Sequence, residues 1–349
     1  MRDICVLITC CNGIISPGQI SCLRDIDERS VRIVGVDASE FGYGSRMVDC
    51  FRKVPRANDP GYVQILLSIC EEERVDVVLV ANDAEFFLSE YKQEFLERGT
   101  QLALNDSDLL VSVDDKASFF RLLQKKGLPT PKFHVPANPE EFEEACHDLG
   151  YPENPVVAKP RRGGGSRGVR IIRPGLSKQK ILLGKLGNQD ITFEDMCAGL
   201  SEGDVFPSIV VMEYLPGIEY SVDSLVDQGE ALIIVPKTRD VSEPGRSLVA
   251  RVDCNEEVVE AVSTICRELD LHYNINIQFK RGSDGILYPY ELNPRIAATI
   301  AACRAAGANL LYFGVKLALG EEIPPVSIHN GMRMIRYYQE YYEFPEEKC

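Results

Sequence analysis

A glycine-rich segment at residues 160–168, Pro-Arg-Arg-Gly-Gly-Gly-Ser-Arg-Gly, has a composition that suits anion binding. Glycines at 163, 164, 165 and 168 let backbone N–H groups approach a phosphate closely, and the hydroxyl of Ser166 adds a polar contact. Lys159 directly precedes the segment, where its ammonium can meet a phosphate oxygen. The segment connects two apolar runs and lacks the Gly-Lys-Ser/Thr ending of the Walker loop. Taken alone, it predicts either a phosphate-binding loop or a solvated hairpin with incidental basic residues.

Polar side chains also follow two apolar strands at 274–280 and 286–293, which a turn at 282–285 connects. Alternation places Gln278 on the polar face of the first strand, and it predicts that Glu291 and Asn293 share a face of the second, opposite Tyr290. Pairing then brings Gln278 close to Glu291 and Asn293. One carboxylate and two amides suit Mg²⁺, which keeps waters and accepts phosphate oxygens as its other ligands. Arg295 follows, and its planar guanidinium can hold a phosphoryl group.

For any one of these residues, an ordinary polar sheet face is the simpler interpretation. The combination with the glycine-rich segment and Lys159 favours a site that binds a phosphate and a metal ion.

A third segment, residues 211–219, has an apolar strand that ends in Glu213, followed by a Pro-Gly turn and Glu219. Glu213 could accept a hydrogen bond from an exocyclic amine and Glu219 from ribose hydroxyls, while the backbone of Leu215 reads a purine edge. By itself this segment is more typical of a hairpin with solvent-facing acids.

Strands and helices alternate over residues 1–105, which predicts a doubly wound parallel sheet. We expect strands at 4–9, 32–37 and 75–80 and helices at 59–74 and 86–96, with Ile65 on the buried stripe of the first helix. The first strand ends in Cys10-Cys11-Asn12-Gly13, which does not fit the glycine spacing of a dinucleotide-binding loop.

From residue 106 onwards the pattern predicts an α+β domain. Asp114 or Asp115 can cap a helix that begins near Lys116 and ends at Gly127, and a second helix follows Pro139. We expect strands at 155–159 and 169–172, and helices at 178–186 and 193–200. Mainly antiparallel strands follow at 209–212, 220–226, 231–236, 274–280 and 286–293, with helices at 256–269 and around 301 and 313, and an edge strand at 332–342.

Composition limits the function further. The formal charge is −15, from 38 basic and 53 acidic residues, which disfavours nucleic acid and anionic membranes as partners. No apolar run approaches the length of a membrane span, and the run at 4–8 is too short for a signal sequence. Twelve cysteines without a Cys-x-x-Cys pair, and four scattered histidines, predict reduced thiols in a cytoplasmic protein.

Together these motifs, in this order along the chain, resemble the ATP-grasp superfamily, and they are most similar to single-unit proteins related to the large chain of carbamoyl-phosphate synthetase. The motifs are Lys116, Lys159 with Arg161–Gly168, Glu213-Tyr-Leu-Pro-Gly-Ile-Glu219, Gln278, and Glu291-Leu-Asn-Pro-Arg295. The resemblance implies a preceding α/β domain at 1–105 and an ATP-grasp domain at 106–349. The latter would have a smaller lobe at about 130–207 and a larger lobe at about 208–349.

The resemblance also implies a role for each matched position. Lys116 and Lys159 would hold the ATP phosphates, and the loop with Gly163, Gly164, Gly165 and Ser166 would close over them. The nucleoside would lie against Glu213, Tyr214, Leu215 and Glu219. Magnesium, or manganese in its place, would bind to Gln278, Glu291 and Asn293. Arg295 and Lys159 would face the transferring phosphate, and Arg239 matches a substrate or phosphate arginine more weakly.

Family chemistry implies that a carboxylate attacks the γ-phosphate of ATP and that an amine captures the acyl phosphate. The expected partners are therefore small carboxylates and amines, and a homodimer is one assembly compatible with this family. One alternative is a carbamoyl-phosphate-synthetase-like kinase that acts on bicarbonate or carbamate. Another is a nucleotide-binding module without turnover. The resemblance covers a single ATP-grasp unit, and the sequence shows neither a glutaminase-like Cys/His arrangement nor a biotin-carrying segment.

Overall fold

A parallel five-stranded sheet forms the N-terminal part of the computed structural model, which describes residues 1–24, 26–183, 189–243 and 245–344. Its strands have the order β3-β2-β1-β4-β5. They are β1 (Ile4–Ile8), β2 (Val31–Asp37), β3 (Cys50–Lys53), β4 (Val77–Leu79) and β5 (Gln101–Ala103). Helices α1 (Ser16–Arg24), α2 (Tyr62–Glu73) and α3 (Lys92–Glu97) provide crossovers. Two separate apolar cores cover the two faces of the sheet, so the predicted doubly wound domain is confirmed.

Local details differ from the predictions. Ile65 is 40% exposed, because the buried stripe of α2 runs through Tyr62, Leu66 and Ile69 instead. The helix predicted at 86–96 begins as a 3-10 helix over Asp83–Tyr91 and becomes α-helical only in α3. Strands β3 and β5 and helix α1 were not predicted, since they are short and lack a clear period.

Two helices, α4 (Ser107–Asp114) and α5 (Lys116–Lys125), connect this domain to the rest of the chain. Of the two predicted caps, Asp115 is the one used: its carboxylate accepts a hydrogen bond from the backbone N–H of Ser118 at 2.9 Å. The same carboxylate pairs with Arg161 at 2.8 Å, which ties the start of α5 to the glycine-rich loop.

A second five-stranded sheet has the order β6-β10-β7-β8-β9. Its strands are β6 (Phe133–His134), β7 (Val156–Pro160), β8 (Arg170–Ile172), β9 (Asp190–Ile191) and β10 (Ile209–Glu213). Helices α6 (Pro139–Asp148), α7 (Lys178–Leu183) and α8 (Phe193–Leu200) accompany it. The predicted helix at 178–186 extends past α7 into residues that lie outside the described part of the chain.

The third sheet is antiparallel throughout and has the order β15-β14-β11-β12-β13-β16. Its strands are β11 (Glu219–Asp227), β12 (Glu230–Glu243), β13 (Arg246–Val252), β14 (Tyr273–Arg281), β15 (Leu287–Asn293) and β16 (Arg333–Ile335). Helices α9 (Glu256–Glu268), α10 (Ile300–Ala305) and α11 (Leu310–Ala318) complete the fold. The mainly antiparallel second part is confirmed, although the predicted edge strand at 332–342 shortens to β16 and β13 was not predicted.

A β-bulge alters the predicted alternation of β15. Gln278 pairs with Glu291 and Phe279 with Pro289, so Tyr290 is an extra residue on the β15 side. The predicted opposition of Tyr290 and Glu291 is therefore wrong, and both residues border the same cavity.

The predicted domain limits, 1–105 and 106–349 with lobes at about 130–207 and 208–349, stay predictions. Strand β10 belongs to the second sheet although it lies after residue 207. Among the described residues, no helix combines the length and the apolar character that a membrane crossing requires.

The double use of Asp115 leads to a stability prediction. Asp115→Ala should destabilise α5 by about 1 kcal/mol through loss of the cap, and amides in 116–125 should exchange hydrogen about fivefold faster. Asp115→Asn keeps an oxygen that can accept from Ser118, so its exchange should stay closer to that of the original protein. Equal exchange rates in the two variants would contradict the cap.

Candidate active site

A cavity of about 310 Å³ is bordered by residues of the second and third sheets and the start of α5. Most of the residues predicted for the site line it: Lys116, Lys159, Gly163, Ser166, Glu213, Tyr214, Leu215, Glu219, Arg239, Gln278 and Glu291. An adjoining cavity of about 160 Å³ adds Gly165, Asn293 and Arg295, and a small space of about 20 Å³ adds Gly164. The fold therefore brings every residue of the predicted site to one set of neighbouring cavities.

The glycine-rich loop is anchored at the first turn of α5. The Nζ of Lys116 donates a hydrogen bond to the carbonyl of Gly163 at 2.7 Å, and its backbone N–H donates to Arg161 O at 2.9 Å. Gly163 and Gly165 have φ angles of 96° and 70°, a region that favours glycine. These contacts curve the loop along the cavity instead of leaving it as a free hairpin.

Lys159, at the end of β7, is a buried cation at the centre of the site. It is 5% exposed, and its Nζ donates to the carbonyl of Tyr290 at 3.2 Å. The ammonium also lies 5.2 Å from the ring centroids of Phe120 and Tyr290. Burial lowers the pKa of Lys159 to about 7; Glu291 opposes that decrease and Lys116 adds to it. An approaching phosphate would therefore stabilise the charged form.

A second cation, Arg239 on β12, lies in a compact polar cluster. Its Nη1 pairs with Glu219 and donates to Gln278 Oε1 at 3.3 Å, while its Nε donates to Ser247 at 3.0 Å. Burial by itself would lower the pKa of Arg239, but the nearby Tyr290, Glu219 and Glu291 raise it. The guanidinium thus stays charged beside the cavity.

Tyr290 is a site residue that the sequence reasoning missed. Its hydroxyl donates toward Glu219 at 2.8 Å and Gln278 at 2.6 Å, and burial followed by the charge of Glu219 raises its pKa well above the usual value. The only signal in the sequence was its position beside Glu291, and strand alternation pointed it to the wrong face.

The predicted metal ligands lie on adjacent strands in register. Gln278 pairs directly with Glu291, and Asn276 pairs with Asn293. These side chains provide oxygen donors with one carboxylate, and such a set fits Mg²⁺, which takes its remaining ligands from water and phosphate. Within the described residues there is no cluster of three or more His, Cys, Asp or Glu side chains suited to a softer or fully protein-bound metal. The donor chemistry therefore fits magnesium.

At the other end of the cavity, the predicted purine-binding segment is fixed by backbone pairing. The backbone N–H of Lys132 donates to Glu213 Oε1 at 2.7 Å, and the N–H of Glu213 donates to Lys132 O at 3.1 Å. The Tyr214 ring is 5.2 Å from the Arg173 guanidinium and 5.4 Å from the Lys280 ammonium. One carboxylate oxygen of Glu213 is thus held by the backbone of Lys132, and the carboxylate keeps further acceptor sites for a ligand.

Arg295 makes a contact that the sequence could not indicate. Its Nε and Nη2 bind both carboxylate oxygens of Asp83, a residue 212 positions earlier in the N-terminal domain. Nη2 also donates to Asn293 Oδ1 at 3.1 Å, and Nη1 donates to Ile296 O at 3.0 Å. The predicted phosphate arginine is therefore tied to the first domain and to a predicted metal ligand.

Comparisons with known proteins agree with the predicted fold. Residues 205–340 match a family model described as "ATP-grasp in the biosynthetic pathway with Ter operon", and residues 14–103 match one described as "PylC-like, N-terminal domain". Among solved structures, the biotin carboxylase domain of Hydrogenobacter thermophilus 2-oxoglutarate carboxylase, in complex with MgADP, ADP and bicarbonate, has a TM-score of 0.68 at 16% identity. That alignment covers 94% of this chain and 73% of the other.

The chain has the ATP-grasp fold. The predicted resemblance to this superfamily is confirmed, including its similarity to carbamoyl-phosphate synthetase. The crystal structure of an L-amino acid ligase from Bacillus licheniformis has a similar fold, with a TM-score of 0.64, 18% identity, and coverage of 91% of this chain and 70% of the ligase.

The sequence relatives are longer proteins. The "Carbamoyl phosphate synthase large chain, C-terminal section" of Methanopyrus kandleri is 27% identical over 290 residues, which cover 78% of this chain and 49% of that protein. The chain thus spans about half, or less, of the length of these curated relatives. Individual site assignments on the ATP-grasp fold stay predictions.

The depressed pKa of Lys159 leads to a pH prediction. Above roughly pH 7 the unliganded side chain loses its proton, whereas a bound phosphate keeps it protonated, so binding takes up a proton. The Kd of MgATP should therefore rise with pH from roughly pH 7 to 9, by up to about tenfold per pH unit. Calorimetric titration of MgATP at several pH values measures this dependence.

The matched control is Lys159→Gln, which cannot titrate. It should bind MgATP more weakly, with a Kd that changes little over the same pH range. A flat profile in the original protein would show that Lys159 does not contact the phosphates.

Proposed function

We propose that the protein is an ATP- and Mg²⁺-dependent ligase that joins a carboxylate to an amine through an acyl phosphate, with ADP and phosphate as products. The observation that carries this proposal is the meeting of Lys159, Arg239 and Arg295 with the oxygen-rich face of Gln278, Glu291 and Asn293 at adjoining cavities. Cations that lie beside a set of oxygen ligands suited to Mg²⁺ are an arrangement that favours the transfer of a phosphoryl group.

The nucleotide fits along the cavity of about 310 Å³. Its base lies toward Glu213, Tyr214 and Leu215, and its phosphates lie toward Lys116 and Lys159. The backbone of the glycine-rich loop covers the phosphates, and Glu219 is placed to accept from the ribose or to hold Arg239 in position.

Glu291, Asn293 and Gln278 would hold the metal ion. A Mg²⁺ ion bound there would supply positive charge to offset that of the phosphate oxygens. Gln278 Oε1 already accepts from Tyr290, so Tyr290 directs the amide oxygen that would bind the metal.

The reaction needs no nucleophile from the protein. An oxygen of the substrate carboxylate attacks the γ-phosphorus, the bond between this phosphorus and the β,γ-bridging oxygen breaks, and ADP leaves. The amine nitrogen then attacks the acyl carbon, phosphate leaves with its bonding electron pair, and the proton lost by the nitrogen passes to the departing phosphate as an amide forms. The cations stabilise the charge that moves onto the phosphate oxygens, and the fold provides positioning.

The smaller adjoining cavity is the location for the carboxylate. Its lining combines Arg239 and Arg295 with the hydroxyl groups of Ser221, Ser247 and Thr299. A volume of about 160 Å³ suits a small, polar molecule.

A second candidate function is a kinase that acts on bicarbonate or carbamate. It is favoured by the relatives named carbamoyl phosphate synthase large chain and by the bicarbonate bound in the biotin carboxylase domain of similar fold. A module that binds nucleotide without turnover is the third candidate. Cytoplasmic location and a homodimer also stay predictions.

The metal assignment predicts the effect of Glu291→Gln. Removing the only carboxylate of the proposed metal set should lower kcat by at least ~10²-fold, the scale of losing one preorganised electrostatic group. Steady-state ADP release under saturating Mg²⁺ measures the loss. Glu257→Gln is the matched control, because Glu257 is an exposed residue of α9 that pairs with Arg281, and it should turn over normally. Near-normal turnover by Glu291→Gln would remove the metal assignment.

The reaction class predicts the products. The cations meet at one end of the nucleotide cavity, so attack should occur at the γ-phosphorus and release ADP. With the correct carboxylate present, hydroxylamine should capture the acyl phosphate as a hydroxamate. Nucleotide analysis by chromatography and mass spectrometry of the hydroxamate check both points. AMP and pyrophosphate as products would refute the proposal, and ADP release driven by bicarbonate alone would favour the kinase.

A further inference from the structure

Asp83 is a charged residue of the candidate site that comes from the N-terminal domain. It begins the 3-10 helix that follows β4, and Asn82 caps this helix by accepting from the N–H of Ala84 at 3.1 Å. The turn therefore holds the Asp83 carboxylate at the carboxyl-terminal edge of the parallel sheet. There it borders the same small space as Lys116, Glu291 and Asn293.

The hydrogen bonds of Arg295 leave little of its guanidinium for another anion. A guanidinium has five N–H groups. Nε donates to Asp83 Oδ1, Nη2 donates to Asp83 Oδ2 at 3.2 Å and to Asn293 Oδ1 at 3.1 Å, and Nη1 donates to Ile296 O at 3.0 Å. Asp83 occupies the edge formed by Nε and Nη2, one of the two edges of a guanidinium that can bind a phosphate through parallel hydrogen bonds. Both nitrogens of the other edge, Nη1 and Nη2, already donate to Ile296 O and Asn293 Oδ1.

The glycine-rich loop touches the same ion pair. A Cβ added to Gly164 would lie 2.9 Å from Asp83 Oδ2 and 3.9 Å from Arg295 Nη2. The tip of the loop thus lies directly against the Asp83–Arg295 pair. An exchange of partners at Arg295 would therefore change the contacts of the loop.

Asn293 gives a second reason for an exchange. In the proposed function its Oδ1 binds Mg²⁺, yet in this arrangement it accepts from the Arg295 guanidinium. A divalent cation on that oxygen would repel the guanidinium. Binding of metal and phosphate therefore favours movement of Arg295 away from Asn293 and Asp83 and toward the phosphate.

We propose that Asp83 competes with the nucleotide phosphate for Arg295, so that the N-terminal domain lowers the affinity of the site for MgATP. This proposal rests on the proposed function, because it places a phosphate near Arg295. It assigns Asp83 a role in ligand exchange at Arg295, which differs from merely supporting the fold.

The test is the Kd of MgATP measured by calorimetry, which requires no carboxylate substrate. Asp83→Asn removes the charge of the competitor, so the Kd should fall by about two- to fivefold, the scale of one partly exposed ion pair. Asp83→Ala should act in the same direction, and it serves as a second variant should the amide alter the turn. An unchanged or higher Kd in folded Asp83 variants would overturn the proposal.

Removal of any nearby negative charge would also strengthen the binding of an anion. A matched control distinguishes this general electrostatic effect from competition for Arg295. Asp114→Asn makes the same charge change in the same small space, but Asp114 pairs with Arg162 at 3.7 Å instead of Arg295. Asp83→Asn should lower the Kd of MgATP more than Asp114→Asn does. This difference between the two variants should disappear when each substitution is combined with Arg295→Gln.

Equal effects of the two variants, or an excess that persists without Arg295, would contradict competition for Arg295. Absence of MgATP binding by the original protein would instead refute the nucleotide site itself. The failure of this inference and the failure of the proposed function therefore give different results.

Discussion

The pairing of β14 with β15 is the interaction on which the rest of the site depends. Its register sets Gln278 beside Glu291, and the bulge at Tyr290 then turns both Tyr290 and Glu291 toward the cavity. The carbonyl of Tyr290 accepts from Lys159 of the other sheet, and its hydroxyl reaches Glu219 and Gln278. A shift of one residue in this register would move the predicted metal ligands to the apolar face. It would also break the hydrogen bond by which the lysine of one sheet contacts the other sheet.

The apolar side of the same strands explains why the register is firm. Ile275, Ile277 and Phe279 are buried beneath the third sheet against α9 and α5. Because these side chains are apolar and buried, slippage would cost their burial as well as the polar contacts. The packing of the apolar core thus fixes the strand register, and the register fixes the positions of the polar side chains at the site.

Much of this arrangement could be predicted from the sequence where the signals are local. Strand alternation at 274–280 correctly separated Gln278 from Phe279, and the order of motifs identified the ATP-grasp fold. The bulge at Tyr290 was not predicted. It shifts the alternation so that Leu287 and Leu292, five residues apart, share one core, but the tyrosines between them can occupy either face of a strand and conceal the shift. The Asp83–Arg295 pair was equally hidden, since it joins residues 212 positions apart in two domains and depends on how those domains pack. Asp115 lies between these cases: its position suggested a cap, but its ion pair with Arg161 depends on the course of the loop.

Several cations lie close together in the site, and their burial and mutual repulsion cost free energy. This cost explains why most of them are paired with carboxylates. Arg239 is paired with Glu219, Arg295 with Asp83, and Arg161 with Asp115. Lys159 has no carboxylate in hydrogen-bond contact among the described residues and is the cation whose pKa falls to about 7. Two kinds of cation therefore lie in and around the cavities: arginines that are paired with carboxylates, and a lysine whose charge depends on what binds. A phosphate that enters must displace carboxylates from the arginines. Its binding must also be accompanied by protonation of the lysine. Its net affinity is then the difference between new and old ion pairs, and such a difference is small enough for a single carboxylate from a neighbouring domain to change it.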